Sequence, residues 1–273
     1  TTTLGGQFFI YDAYPYSFKE YLAAQQVELR EHWEYDTIQR SEVKRHLNEY
    51  FYYGGLPEIL SFKNKRAMLS SLYQKIYLGD ICARNNIKND RVLNILIKKM
   101  AESVKQPLSY NRLKNVIVAT GSPISVPTTI DYADYAADSW LILPMENEIG
   151  KLTEKEMQKK YYFVDNGLLN LFLMNSETSL LENMVAVELC RRCGKKNVFF
   201  LNAEKEIDFI VPDKKLAIQV SYSIKDETTY NREVPPLVKY AKAHEDWKCL
   251  LITYDEEDTE KEISVVPVWK WLM

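Results

Sequence analysis

The chain has 273 residues, 46% of them hydrophobic, with a formal net charge of −3 and an isoelectric point near 5.8. The length allows one large domain or two to three small ones, and the charge balance argues against a globally basic nucleic-acid-binding protein while leaving room for a local basic patch. No apolar run reaches the roughly 18–20 residues of a membrane helix, and no signal peptide is visible, so we expect a cytoplasmic protein without a membrane partner.

The first hundred residues are predicted to be mainly helical. Ser17 and Glu20 form a capping-box pair at the start of one helix, and Gly54-Gly55 ends the next. Apolar residues at three- or four-residue spacing predict two more helices within residues 65–104, and we interpret these stripes as core packing. The other predicted elements are a strand at Phe8–Tyr11, a helix from Phe18 to about Val27 and a helix at roughly Arg40–Tyr53.

Residues 105–164 resemble a winged helix. Ser109 is a candidate N-cap for one helix, and Ser125 or the segment from Pro127 begins the second. The two strands of the wing are predicted at Leu141–Leu143 and Lys160–Val164, joined by a charged loop. The second helix of such a unit usually enters the major groove of DNA.

That second helix is acidic. It carries Asp131, Asp134 and Asp138 and contains no Lys or Arg. Three carboxylates would repel the phosphates of a duplex. The sequence therefore favours a winged helix that packs against protein over one that binds DNA.

Residues 165–273 are predicted to form a separate α/β unit with a mixed sheet. We interpret the charged segment Asp255–Glu262 as a solvated loop. The predicted elements are a helix at Ser179–Cys193, strands at Val198–Asn202, Ile207–Val211 and Leu216–Ser221, a helix at about Pro235–Ala243, and strands at Cys249–Tyr254 and Ile263–Val268.

Cys190 and Cys193 form the sequence pattern C-x-x-C. A structural zinc site needs four ligands, and the chain has no second pair of this kind. A thioredoxin-like motif would open a helix, whereas this pair closes one that ends at Gly194. We interpret all four cysteines of the chain as ordinary thiols.

The segment Glu206–Tyr222 predicts a strand, a turn and a second strand. Asp208 opens the first strand, and Gln219 follows eleven positions later on the second. An acid on one strand with an acid or amide on its neighbour is typical of metal-dependent nucleases of the PD-(D/E)XK type. The lysine usual two residues after the second ligand is absent, because this position is Ser221.

Several short motifs in a fixed order resemble a family of bacterial and archaeal AAA-type P-loop ATPases whose C-terminal domain of unknown function has a PD-(D/E)XK nuclease-like fold. The family has a Gly-Arg pair and a Pro-x-Ser-Phe-x-Glu helix, followed by G-G-x-P, D-x-G-L, E-N-x-V and E-x-D-F. The matching segments are Leu4–Gln7 with Tyr14–Tyr21, Tyr53–Glu58, Tyr162–Leu169, Glu182–Val185 and Glu206–Phe209.

This resemblance implies an α+β multidomain chain. Residues 1–60 would be the end of the ATPase core and its helical lid, 61–164 a helical linker and the winged helix, and 165–273 a degenerate nuclease-like domain. The Walker A pattern does not occur in these residues, so ATP would bind only through a domain upstream of Thr1. Gln7 replaces the arginine of the family's Gly-Arg pair. The resemblance also implies an oligomer in the parent ATPase.

The resemblance further implies that Glu182, Asp208 and Gln219 face a metal ion, which would be Mg²⁺ if the site were active. Ser221 replaces the lysine that helps to orient the attacking water. Lys205, Lys214 and Lys225 are candidates to replace it, and the sequence does not select among them.

We therefore expect a binding or regulatory module for nucleic acid or protein, inactive as an ATPase and without a cofactor of its own. The alternative is a Mg²⁺-dependent DNA or RNA phosphodiesterase that uses Glu182, Asp208 and Gln219. The basic residues that would favour nucleic acid are Lys98, Lys99, Lys105, Arg112 and Lys114 near the winged helix, and Arg191, Arg192, Lys195 and Lys196 at one helix end.

Overall fold

The structure is a computed structural model that describes residues 11–203, 206–259 and 262–273. The Gly5-Gly6-Gln7 segment, and the predicted strand at Phe8–Tyr11 apart from Tyr11, lie outside these residues. The chain is an α+β protein, as predicted. Its N-terminal helices are α1 (Phe18–Ala24), α2 (Thr37–Tyr53), α3 (Lys65–Lys75), which continues as a π-helical stretch (Ile76–Ala83), and α4 (Asp90–Glu102).

The predicted capping box of α1 is confirmed. The backbone N–H of Ser17 donates to Glu20 Oε2 at 2.7 Å, and the N–H of Glu20 donates to Ser17 Oγ at 3.3 Å. The helix ends before the predicted Val27, because Gln26 takes a positive φ of 56°. The next helix, α2, begins at Thr37 and not at Arg40, since Asp36 Oδ1 caps its first turn through the N–H of Ile38 at 2.8 Å.

The middle of the chain builds a three-stranded antiparallel sheet in the order β1-β3-β2. Ser109 caps α5, as predicted, and Ser125, one of the two predicted starts, caps α6. The predicted loop between the last two strands contains a short helix, α7. The elements are β1 (Leu108–Ser109), α5 (Tyr110–Ala119), α6 (Val126–Asp138), β2 (Ile142–Met145), α7 (Leu152–Met157) and β3 (Gln158–Phe163).

The last part of the chain forms a six-stranded mixed sheet in the order β4-β5-β6-β7-β9-β8. The β6–β7 and β7–β9 pairs are parallel and the remaining pairs are antiparallel. The elements are α8 (Asn166–Asn170), α9 (Glu177–Cys193), β4 (Phe199–Asn202), β5 (Glu206–Val211), β6 (Leu216–Val220), α10 (Glu227–Ala243), β7 (Lys248–Thr253), β8 (Asp258–Thr259), β9 (Ser264–Pro267) and α11 (Val268–Trp271).

Two predictions for the last part of the chain are wrong, one for the start of a helix and one for the acidic loop after β7. Helix α10 begins at Glu227 and not near Pro235, because Asp226 caps it through the N–H of Thr229 at 2.9 Å. Two prolines then fall inside the helix, where each removes a hydrogen-bond donor. Burial of Leu237 against the sheet opposes that cost.

The acidic segment after β7 is not a freely solvated loop. Asp255 accepts a hydrogen bond from Trp269 Nε1 at 2.9 Å and forms an ion pair with Lys44 of α2. Glu256 accepts from Ser223 Oγ at 2.6 Å and from the N–H of Ile224 at 2.9 Å. The first half of the segment therefore ties the sheet to α2 and to the turn before α10.

The main hydrophobic core is continuous from α1 to α11 and includes residues from all three predicted domains. A smaller cluster lies between α10 and the other face of the six-stranded sheet. The boundaries predicted after residues 60 and 164 stay a prediction. Within the described residues, none of the helices is both long enough and apolar enough to cross a membrane.

Asp165 joins two of the motif segments quoted above. Its carboxylate accepts hydrogen bonds from the N–H groups of Gly55 and Gly167, both at 2.8 Å, and of Leu168 at 3.3 Å. The carboxylate thus caps α8 and fixes the end of α2 against it. Burial raises the pKa of Asp165 to about 6 from its ordinary 3.8, although the Gly55 and Leu168 amides lower it.

This pKa predicts a pH dependence of stability. A carboxyl group whose pKa is raised on folding stabilises the fold below about pH 4, and that stabilisation is lost as the pH rises through about 6. We expect the loss to be about 3 kcal/mol and to be absent in Asp165→Asn. Urea denaturation of both proteins from pH 4 to pH 7 measures it. The exposed helix cap Asp226→Asn is the control, and parallel pH curves for wild type and Asp165→Asn would contradict the prediction.

Candidate functional site

A cleft of about 560 Å³ opens where α9, β5, β6 and α10 meet. The side chains of Glu182, Asp208, Gln219 and Ser221 all line it. These are the four positions that the resemblance to the nuclease-like fold singles out. The structure thus brings residues from a helix and two neighbouring strands to one place.

A lysine that the sequence predicted only as the start of a strand, and not as a site residue, lies in the middle of this group. Lys160 of β3 is fully buried. Its Nζ lies 3.2 Å from Glu182 Oε1, 3.3 Å from Asp208 Oδ1 and 2.8 Å from Glu206 Oε1. The contacts to Glu182 and Asp208 are also hydrogen bonds. One ammonium group therefore faces three carboxylates. The side chain of Glu206 is partly exposed, but its Oε1, which faces Lys160, is buried.

The register of β3 explains why Lys160 reaches the carboxylates. Successive side chains of a strand point to opposite faces, so Lys160 and Tyr162 share one face. The hydroxyl of Tyr162 donates to Glu182 Oε1 at 2.8 Å, which places both side chains against α9. Asn183, the next residue on that helix, accepts from the N–H of Phe163 at 2.7 Å and donates to its carbonyl at 2.9 Å. This clamp fixes β3 beside Glu182.

An irregularity in β5 aims Asp208 at the same point. The pairing of β4 with β5 shifts register between Phe199 and Leu201. Phe209 consequently packs in the main core next to Asp208, while Ile207 packs on the opposite face. Bulges of this kind redirect side chains and are frequent next to functional sites.

The side-chain amide of Gln219 is hydrogen-bonded to the backbone of β5 and to a glutamate of α10. Its Oε1 accepts from the N–H of Asp208 at 3.3 Å, and its Nε2 donates to Glu233 Oε2 on α10 at 2.6 Å. The other oxygen of Asp208 accepts from the N–H of Val220 at 2.9 Å. Ser221 Oγ donates to the carbonyl of Ser223 at 2.9 Å. The oxygen of Gln219 is thus already used by the backbone.

The buried charges shift each other's titration. Burial and the neighbouring Glu182 raise the pKa of Asp208 to about 8, although Lys160 and the Val220 amide lower it. Burial lowers the pKa of Lys160, but Glu182, Tyr162, Asp208 and Glu206 together raise it well above its ordinary value. The Lys160 ammonium is therefore charged at neutral pH, and it favours the carboxylate form of Asp208, both oxygens of which accept hydrogen bonds.

The residues present do not fit the Mg²⁺ ion that the resemblance implies. Mg²⁺ requires oxygen ligands at 2.0–2.1 Å in near-octahedral geometry. Here Glu182 Oε1 and both oxygens of Asp208 already accept hydrogen bonds, and the Lys160 ammonium lies between the carboxylates. In the part of the chain that the structure describes, no group of three or more His, Cys, Asp or Glu side chains could hold a metal ion.

Two of the three candidate lysines, Lys214 and Lys225, do not contact the carboxylates. Lys205 lies outside the described residues. Lys214 Nζ donates to the carbonyl of Arg192 at 3.3 Å, and Lys225 is exposed beyond the end of β6. The sequence pattern that could have indicated a buried Lys160 is its position directly before a run of aromatic residues, Tyr161–Phe163. Such a lysine needs a buried acid as a partner.

The four cysteines are free, and their interpretation as ordinary thiols stays a prediction. The basic residues at the end of α9 are largely engaged within the protein. Arg191 donates to the carbonyl of Pro15 at 2.8 Å, and Arg192 donates to Glu188 Oε1 at 2.6 Å and lies over the ring of Trp271. Lys195 pairs with Asp12 at 3.3 Å and lies over the ring of Trp140.

Comparison with known proteins gives a family and two relatives. A family described as "Domain of unknown function (DUF8612)" matches residues 44–179, from α2 to the start of α9. This match includes Lys160 but none of the three carboxylates around it.

Both relatives are 30% identical to the chain. One is an uncharacterized protein of Methanocaldococcus jannaschii. The alignment is 292 residues long and covers 99% of this chain and 64% of the relative. The other is an uncharacterized protein of Haemophilus influenzae, aligned over 282 residues that cover 100% of this chain and 66% of the relative. The chain thus spans just under two thirds of the length of each relative. No solved structure gives a significant match.

Proposed function

We propose that the chain is the C-terminal part of an AAA-type ATPase and acts as its protein-binding module. In this proposal α4, β1, α5, α6, β2 and β3 form a winged helix, and the six-stranded sheet with α9 and α10 forms a nuclease-like domain that does not cut. Two features support it. The helices and strands follow the order of such a unit, and the β5–β6 hairpin carries Asp208 and Gln219 on neighbouring strands.

The exposed face of α6 is the observation that carries the choice of a protein partner. Asp131, Asp134 and Asp138 are all exposed on this helix. They are three and four residues apart, so their carboxylates lie on one face of the helix and repel one another. Burial raises the pKa of Asp134, Lys159 lowers it, and the charges of Asp138 and Asp131 raise it. A helix with this face would repel DNA phosphates.

The contacts of the basic residues also favour a protein partner over nucleic acid. Arg191 and Arg192 are held by Glu188, so a phosphate would have to compete with an existing ion pair. Lys105, at the mouth of the cleft, donates to Thr178 Oγ1 at 2.9 Å. Binding to nucleic acid depends on cations that are free to neutralise phosphates. These residues therefore favour a protein surface as the partner.

The alternative, a Mg²⁺-dependent phosphodiesterase, is disfavoured by the hydrogen bonds that occupy Glu182, Asp208 and Gln219. The test is incubation of the purified chain with supercoiled plasmid and Mg²⁺ or Mn²⁺. We expect no nicking. Nicking that disappears in Asp208→Ala would establish the phosphodiesterase instead.

A DNA-binding measurement tests the proposed function directly. We expect labelled duplex and single-stranded DNA to bind no tighter than about 100 µM at near-physiological salt. The matched control is the triple variant Asp131→Lys, Asp134→Lys and Asp138→Lys, in which we expect binding that weakens steeply as salt is raised. Fluorescence anisotropy over a salt series measures both proteins.

Tight, salt-dependent DNA binding by the wild type would overturn the protein-binding assignment. The ATPase relationship has a separate test, which is the coding sequence upstream of Thr1. A Walker A motif there supports the proposal, and a different domain there contradicts it.

A further inference from the structure

We propose that the Lys160 ammonium is the resident cation of the acidic cleft, and that it makes the cleft a metal-independent joint between the three-stranded sheet and the six-stranded sheet. The inference rests on the proposed nuclease-like fold, because it concerns the point at which such a fold would hold its metal ion. In this protein the ammonium of Lys160, supplied by β3, occupies that point.

The geometry around Nζ is that of an ammonium site. Its distances of 2.8–3.3 Å to Glu206, Glu182 and Asp208 are those of charge-assisted contacts between nitrogen and oxygen. A divalent ion would need the same oxygens much closer, at 2.0–2.1 Å for Mg²⁺. The ammonium and a metal ion therefore cannot both occupy the point between these oxygens.

The lysine is held in place and does not lie there as a mobile surface chain. Its side chain is completely buried, and Nζ lies 5.7 Å from the centre of the Phe200 ring. The backbone of β3 is clamped by Asn183 three residues later, at Phe163. Withdrawing the ammonium would leave a charge without partners in the interior, which is strongly unfavourable.

The three contacts cross between separate parts of the fold. Lys160 comes from β3, Glu182 from α9, and Glu206 and Asp208 from β5. One ammonium thus links the sheet of the winged-helix unit to the helix and hairpin of the nuclease-like unit. Without it, two buried carboxyl groups and Glu206 would face each other with no cation between them, and such a group recruits a positive ion.

The test compares Mn²⁺ binding by the wild type and by Lys160→Ala. We expect no saturable binding to the wild type below about 1 mM Mn²⁺, and binding at least about tenfold tighter to Lys160→Ala. Electron paramagnetic resonance of free Mn²⁺ measures the affinities. Melting curves give a second readout, because a ligand that binds only the folded state raises the melting temperature. Mn²⁺ should raise that of Lys160→Ala, and neither Mn²⁺ nor EDTA should move that of the wild type.

Two controls make the result specific. Lys159→Ala removes the neighbouring lysine, whose Nζ lies 3.7 Å from both Glu146 and Glu156, and it should bind no Mn²⁺. Glu182→Gln added to Lys160→Ala should abolish the gain. If Lys160→Ala does not fold, Lys160→Gln keeps most of the stem and a hydrogen-bond donor and gives the same comparison.

Mn²⁺ binding by the wild type would overturn the proposal. A stoichiometric Mn²⁺ site in the wild type that Glu182→Gln abolishes would show that the cleft holds a metal despite Lys160. Equal Mn²⁺ affinity of the wild type and the Lys160 variants would also contradict it. These measurements use no DNA. DNA binding in metal-free buffer would contradict the proposed protein-binding function and would leave this inference unaffected. The two failures are therefore distinguishable.

Discussion

Replacing Gly54 with alanine is expected to destabilise the protein by about 4 kcal/mol, a loss large enough to unfold many domains. Gly54 has φ +75°, a conformation that costs about 1–3 kcal/mol for other residues. A Cβ at this position would also overlap the carboxylate of Asp165. That carboxylate cannot move aside without breaking its hydrogen bonds to the N–H groups of Gly55 and Gly167.

Gly121→Ala is the matched control for this prediction. Gly121 has φ +81°, but no atom lies within 4 Å of the position a Cβ would take. We expect a loss of about 1 kcal/mol, which is the backbone term alone. Chemical denaturation of both variants measures the difference. Equal losses would show that contact with Asp165 contributes nothing at Gly54.

Local signals in the sequence were sufficient for three of the helix starts, whereas the caps Asp36 of α2 and Asp226 of α10 were missed. Ser17, Ser109 and Ser125 each cap the helix that was predicted to follow them. A cap depends on a side chain and on backbone N–H groups two or three residues away, so the sequence contains everything it needs. The β5–β6 hairpin was predictable for the same reason, since its turn, Pro212–Lys214, joins two short apolar runs.

The contents of the cleft could not be predicted in this way. Lys160 meets Glu182 and Asp208 across 22 and 48 residues of sequence. Whether a lysine on β3 faces α9 or the opposite side depends on the register of the strand, and a shift of one residue reverses it. The predicted replacements, Lys205, Lys214 and Lys225, all lie near Ser221 in the sequence, whereas Lys160 lies far from it.

The motif segments behind the resemblance have a structural role in this protein. Gly55 of one segment donates to Asp165 of another, and Asn166 donates to the carbonyls of Phe51 and Leu180, both at 3.0 Å. These contacts join α2, α8 and α9 through buried polar groups. Short motifs of this kind are explained by the packing they fix, and they need no catalytic role. The relationship to the ATPase family stays a prediction, because these contacts account for the motifs by packing alone.

Asn183→Ala is expected to cost about 4 kcal/mol, because it leaves both backbone groups of Phe163 buried without a partner. The same amide donates to Asn166 Oδ1 at 2.9 Å, so the change also weakens the junction with α8. Asn197→Ala is the control, since this exposed side chain donates only to the carbonyl of Cys193 and its loss should cost about 1 kcal/mol or less. Urea denaturation measures both. A small loss for Asn183→Ala would mean that β3 keeps its register without the clamp, and Lys160 would then owe its position to the carboxylates alone.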